Sequence, residues 1–182
     1  MKRKISLFLV MAVMMAMVVS CTGVQEKWNA LTPDEKARVV VSDIQAQLNT
    51  LFDTGKAYVT ANPKYQEKWK GQIVPAFDVA NKALASSMIL AKAGKITPDQ
   101  VYAQVQPVLN SVITLLVSIG AVKPITAAVD IMIVLALING LMGLAYNAWS
   151  TINKVKGDQK IPTWDEILEE NKKLQDKIDA EK

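Results

Sequence analysis

Apolar residues recur at three- and four-residue steps along most of the chain, and no run alternates convincingly with period two, so the pattern predicts helices and no strands. Ala37, Val40, Val41, Ile44, Leu48, Leu51 and Phe52 form one such stripe, with Asp43, Gln45, Asn49 and Asp53 placed off it. Thr32-Pro33-Asp34-Glu35 supplies a cap, a proline suited to the first helical position and two acids for the positive end of the dipole. The spacing predicts a first helix over 33–60, ended by Asn62-Pro63. A second stripe, Trp69, Ile73, Phe77, Ala80, Leu84 and Met88, predicts a helix over 64–93 with a kink or restart at Pro75 and a stop at Gly94. Thr97-Pro98-Asp99 repeats the first start signal and predicts a third helix over 98–119, bent at Pro107 and closed by the turn 120–124.

Beyond that turn the pattern changes. From 103 to 148 only Lys123 and Asp130 are charged, and Pro124 divides the run into an arm over 108–122 and an arm over 125–146. The second arm is apolar on every side of a helical wheel, which suits only a protein core or a bilayer. Its 22 residues would rise about 33 Å as a helix, matching a hydrocarbon layer. Tyr146, Trp149, Lys154 and Lys156 resemble an interfacial belt, and Ala136, Gly140 and Gly143 offer a small-residue contact surface.

Three features favour the core. The first arm is short for a span, Asp130 would sit a little over one turn into the second, and a hairpin entering from outside would place most flanking lysines on the wrong side. The stripes of the first two helices also need an apolar partner. The expected fold is therefore all-α: an antiparallel four-helix bundle over 32–156, with a hydrophobic central hairpin and its fourth helix, running to about 153, most deeply buried. Gly157-Asp158 and Ile161-Pro162 break that helix, and 157–182 is a linker followed by a charged C-terminal helix. Thr163-Trp164-Asp165-Glu166 has capping-box spacing, and Ile167, Leu168, Leu174 and Ile178 form a narrow apolar stripe. Ile167, Leu174 and Ile178, with Asn171 between them, step by four, three and four like a coiled-coil seam. So narrow a stripe must dock on its own bundle or on another chain, which makes these three residues candidates for partner binding or self-association.

The N-terminus gives an address. Lys2, Arg3 and Lys4 precede an apolar run over 7–19, and Ser20 and Cys21 close the segment, as in a secretory leader. Val18-Val19-Ser20-Cys21 resembles the lipobox of bacterial lipoproteins, and Cys21 is the sole cysteine of the chain. The resemblance covers the leader alone. It implies cleavage after residue 20, acylation of Cys21 and attachment to membrane lipid, followed by a tether over 21–31. Thr22 rather than aspartate after the cysteine implies sorting to the outer membrane, on its periplasmic face or displayed outside.

Composition narrows the chemistry. The leader holds three of the 21 basic residues and none of the 17 acidic ones, so the body is close to neutral and nucleic acid is not an expected partner. There is no histidine, and an acylated Cys21 leaves no thiol, which removes Cys–His and Ser–His catalysis, common zinc sites and haem ligation by His. No Gly-rich phosphate loop occurs, and no cofactor or metal site is expected. Asp130, the one acid in an apolar setting, is read as a buried ionisable group paired with Lys123 or with its own helix start rather than as a proton or cation site. The resulting expectation is a lipid-anchored, non-enzymatic structural or interaction module of the cell envelope. The alternatives are a membrane-active, pore-forming or lysis-type protein that inserts the 103–148 hairpin, and a carrier of a small apolar ligand.

Overall fold

The computed structural model describes residues 28–122 and 160–182, and these are helical, with no strand among them. The expected fourth helix, Asp130 and the leader with Cys21 lie outside the described residues. Four helices carry the described fold: α1 Pro33–Ala61, α2 Pro63–Lys92, α3 Pro98–Ile119 and α4 Trp164–Asp179. Ahead of α1 a short turn at 28–30 occupies the end of the expected tether, and the Lys36 amine stands 5.8 Å from the Trp28 ring centroid.

Local chemistry sets each boundary. Thr32, Thr97 and Thr163 each cap a helix and close a reciprocal box with Glu35, Gln100 and Glu166, satisfying amides that the first turn leaves free. At the far ends Gly94 (φ 67°) and Gly120 (φ 83°) adopt the left-handed conformation, and the next amides reach back, Lys95 to Leu90 O and Ala121 to Leu116 O. Within α2 the chain opens with a 3-10 turn at Pro63–Tyr65 and passes through a π turn at Trp69–Ile73 before α-geometry resumes at Val74. Pro75 has no N–H to give the preceding turn, so the widened turn falls where the ordinary ladder lacks a donor. Pro107, by contrast, sits inside an unbroken α3.

Contacts fix the directions. Along α1 and α4, Asp34 meets Trp164, Gln45 meets Asn171 and Asp53 meets Lys177, so these two helices run parallel. Along α2 and α4, Asp78 meets Gln175 while Lys92 meets Asp165, so these run antiparallel. Short turns make α2 antiparallel to α1 and α3 antiparallel to α2. The starts of α1, α3 and α4 therefore share one end of the body with the close of α2; we call it the base.

The core runs the length of this assembly. Phe52, Trp69 and Phe77 form its centre, with Phe52 5.4 Å from Trp69 and 5.1 Å edge-on from Phe77. Leu48, Ile73, Leu84, Val105, Val112 and Leu116 extend it, all at 0 % exposure. Gly55 lets the layers meet: a Cβ there would lie 2.7 Å from both Leu116 Cδ2 and Trp69 Cζ3.

One expectation is corrected: Asp43 and Gln45, placed off the stripe of α1, are buried at 1 % and 2 % exposure. The C-terminal helix takes the first of its two expected places and docks on its own bundle, packing on α1 and α2, parallel to α1. It sets Ile167, Leu174 and Ile178 at 2 %, 0 % and 0 % exposure in the common core.

Candidate functional site: the groove that holds the last helix

The groove between α1 and α2 is where charge and long-range polar contact concentrate. Its floor is apolar, supplied by the stripes of both helices. Each stripe is interrupted at one height by an amide. Gln45 stands four residues after Val41 and three before Leu48; Asn81 stands four after Phe77 and three before Leu84. In a 3.6-residue helix those positions belong to the apolar face, so both side chains point inward.

Asn171 of α4 meets them there. Its amide donates to Gln45 Oε1 at 2.9 Å and to Asn81 Oδ1 at 2.7 Å, and Asn81 Nδ2 donates in turn to the Asn171 carbonyl at 3.2 Å. The network continues outward on both sides. Gln45 donates to Asn49 Oδ1, and Asn81 donates to Gln175 Oε1, whose own amide donates to Asp78 Oδ1 at 2.7 Å. Buried amides are costly when unpaired, and these are satisfied in one register of α4. In sequence Asn171 is only the polar residue between seam positions, and Gln45 and Asn81 each look like an ordinary polar residue until three helices are stacked at one level.

Ion pairs fasten the rim. At the base Lys92 reaches Asp165 at 3.4 Å, Trp164 Nε1 donates to Asp34 at 2.7 Å, and Arg38 donates to the Pro162 carbonyl at 3.0 Å. At the other end Lys177 pairs with Asp53 at 2.8 Å, and Glu181 accepts from Lys56 at 2.7 Å and from the Trp69 indole at 2.9 Å. Hydrogen bonding to Lys82, then to Gln175 and Lys182, holds the Asp78 carboxyl down at about 2, against the burial that opposes it. The Lys56 ammonium lowers Glu181 in the same way. Most of these pairs are partly exposed, so each adds little stability and they act mainly to align the helix.

Beside the groove, at the base, lies a cleft of about 470 Å³ between the starts of α1 and α3 and the turn that closes α2. Ala37, Ala91 and Ile96 give it an apolar floor, and Asp34, Lys92 and Gln100 stand at its edge. Among the described residues no group of three His, Cys, Asp or Glu side chains gathers to hold a metal ion.

The structure thus places the sequence candidates unequally. Ile167, Leu174 and Ile178 are brought together, facing their own core, so a partner meets them only in the place of α1 and α2. Asp130 and Cys21 lie outside the described residues. Trp69, the first residue of the second predicted stripe, is a core side chain at 1 % exposure. Helices Pro63–Lys92 and Pro98–Ile119 are long and apolar enough to cross a membrane by length and composition, each containing an 18-residue stretch of mean hydropathy 1.3, although both also supply the core. Comparison with protein families, with curated proteins and with solved structures finds no match.

Proposed function

We propose that the protein is a lipid-anchored, non-enzymatic interaction module of the bacterial envelope, held at the outer membrane through acylated Cys21. The observation that carries this reading is the closeness of the sole cysteine to the helical body. The Trp28 turn and its contact with Lys36 leave 22–27 as the span between Cys21 and folded chain, a reach of about 25 Å when extended. The base of the body, where α1, α3 and α4 begin, would then stand next to the bilayer. The groove and its helix form the module's contact surface. The proposed partners are membrane lipid at Cys21 and a protein at the groove. The finer fold, an antiparallel bundle containing a central hairpin with the 125–146 arm, belongs to the same proposal, with α4 now occupying the α1/α2 side.

Metabolic labelling with a palmitate analogue tests the anchor: the wild type takes the label and Cys21→Ala does not. Equal labelling of both sinks the reading.

A second reading, a membrane-active protein, draws on the length and hydropathy of α2 and α3 together with the 125–146 arm. Extraction separates the two. With an ordinary leader, Cys21→Ala is expected to appear as a soluble, monodisperse helical protein. Retention in membranes against carbonate would establish insertion instead.

A further inference from the structure

The core thins toward the base. Phe52, Trp69 and Phe77 fill its centre, whereas the first buried side chain of α1 is Ala37 and the last of α2 is Ala91. Methyl groups at the ends of two helices leave open the space that larger side chains fill further in, and the cleft of about 470 Å³ lies there. That volume falls within the range of about 300–1,000 Å³ found for small-ligand sites.

The cleft is two-sided in its chemistry. Ala37, Ala91 and Ile96 give it a hydrocarbon floor, and Pro33 and Pro98 extend that surface without adding an N–H donor. Its edge is cationic, because Lys92 and Lys95 both stand where α2 closes. The one acid among the lining residues, Asp34, already accepts from the Trp164 indole at 2.7 Å and from Arg38 at 2.8 Å. Lys92 reaches Asp165 at 3.4 Å, a carboxylate that is itself 92 % exposed. Among the described residues Lys95 has no carboxylate partner.

We propose that this cleft binds an anionic amphiphile, with one acyl chain on the floor of Ala37, Ala91 and Ile96 and a carboxylate or phosphate head at Lys92 and Lys95. The site goes beyond the anchored-module reading and does not depend on it.

Other ligand classes answer only half of the site. A neutral apolar molecule covers the floor and leaves both lysines unmatched at the edge. A small polyanion matches the lysines and leaves the hydrocarbon floor against water. A cationic amphiphile meets like charge where its head must sit. An acyl chain with an anionic head removes the floor from water while its charge stays at the rim, where the lysine ammonium groups remain hydrated.

Photolabelling of the full chain tests the site, in a Cys21→Ala background that removes the proposed acyl group. The probe is laurate with a photoactivatable diazirine in its chain, and the labelled peptides are mapped. Label is expected on the peptides that carry Ala37 and Ile96. Plain laurate should compete it away, and dodecyltrimethylammonium, with the same chain and the opposite charge, should not. Lys95→Glu, at an exposed position, should lower labelling roughly fivefold while the melting temperature stays in place. Ala91→Leu should fill the cleft and abolish labelling; if that variant fails to fold, Lys95→Glu decides alone. Equal competition by laurate and the ammonium compound would overturn the proposal, as would competition by neither. Label centred on the exposed Val79 and Ile89 would overturn it too, by showing adsorption to apolar surface at large. So would a Lys95→Glu variant that labels like its parent. Vesicles of phosphatidylglycerol separate the sources: competition from them assigns the ligand to membrane phospholipid, and competition from laurate alone to free fatty acid. The anchor is read separately, from the palmitate label, so either reading can fail without the other.

Discussion

The Trp164 indole N–H donates to the Asp34 carboxylate at 2.7 Å, joining the first turn of the last helix to the first turn of the first across 130 positions. That bond is the chief cause of the lowered Asp34 pKa, with Arg38 adding to it. It places two capped helix starts side by side, so the register of α4 is set at its first turn and checked again at Asn171.

The check at Asn171 should be costly to remove. Asn171→Leu leaves Gln45 Oε1 and Asn81 Oδ1 buried without the donor they share, an expected loss of about 1–3 kcal/mol. Replacing Gln45, Asn81 and Asn171 together by leucine removes the unpaired groups and should recover most of that stability. Denaturant unfolding of the single and triple variants measures both; a triple variant no better than the single would refute the network's role.

Two glycines should respond in opposite directions. Gly55→Ala forces a Cβ to 2.7 Å from Leu116 and Trp69, so the gain in helix propensity is outweighed and the expected net loss is about 1–3 kcal/mol. Gly71 has nothing within 4 Å of the same atom, and Gly71→Ala should gain up to about 1 kcal/mol. Thermal melts of the pair decide it.

Burial on α4 gives a third prediction. Leu174 is at 0 % exposure, so Leu174→Ala should cost about 2–5 kcal/mol, while alanine at exposed Lys173 should cost under about 0.5 kcal/mol. Equal melting temperatures for the two variants would show that α4 contributes nothing to the core.

Acid should loosen the groove. The folded-state pKa of Asp78, about 2, lies below its ordinary value of 3.8. The stability this group contributes is therefore complete above about pH 4 and is lost as pH falls toward 2, where protonation removes its pairing with Lys82 and Lys182. Glu181 is lowered likewise and adds in the same direction. Melting temperature between pH 6 and 2 should fall more steeply for the wild type than for Asp78→Asn; parallel curves would argue against the pairing.

Helix boundaries were legible because caps are local chemistry. Thr32, Thr97 and Thr163 announce their helices, and α3 spans the predicted residues. Which helices pack together was not legible, because an apolar stripe specifies that a face is buried but not by what. The 125–146 arm lies outside the described residues. The stripe Ile167, Leu174 and Ile178 announces that α4 docks, but not that it enters between α1 and α2, because the match of Asn171 to Gln45 and Asn81 exists only once three helices are stacked. Asp43 and Gln45 were misplaced for the same reason: polarity was read as exposure, whereas burial depends on the helix angle and on what lies opposite.

The parallel pairing of α1 with α4 has a consequence in time. Its contacts join residues 124 to 130 positions apart, so almost the whole chain must be present before the groove can close. Helices α1 to α3 make nearer contacts and form first, leaving Gln45 and Asn81 hydrated until the last helix arrives. Refolding should then proceed in two steps, an early one reported by helical circular dichroism and a later one reported by Trp164 fluorescence. During the interval water holds the places of Asn171 on both amides, and expelling it is the last act of folding.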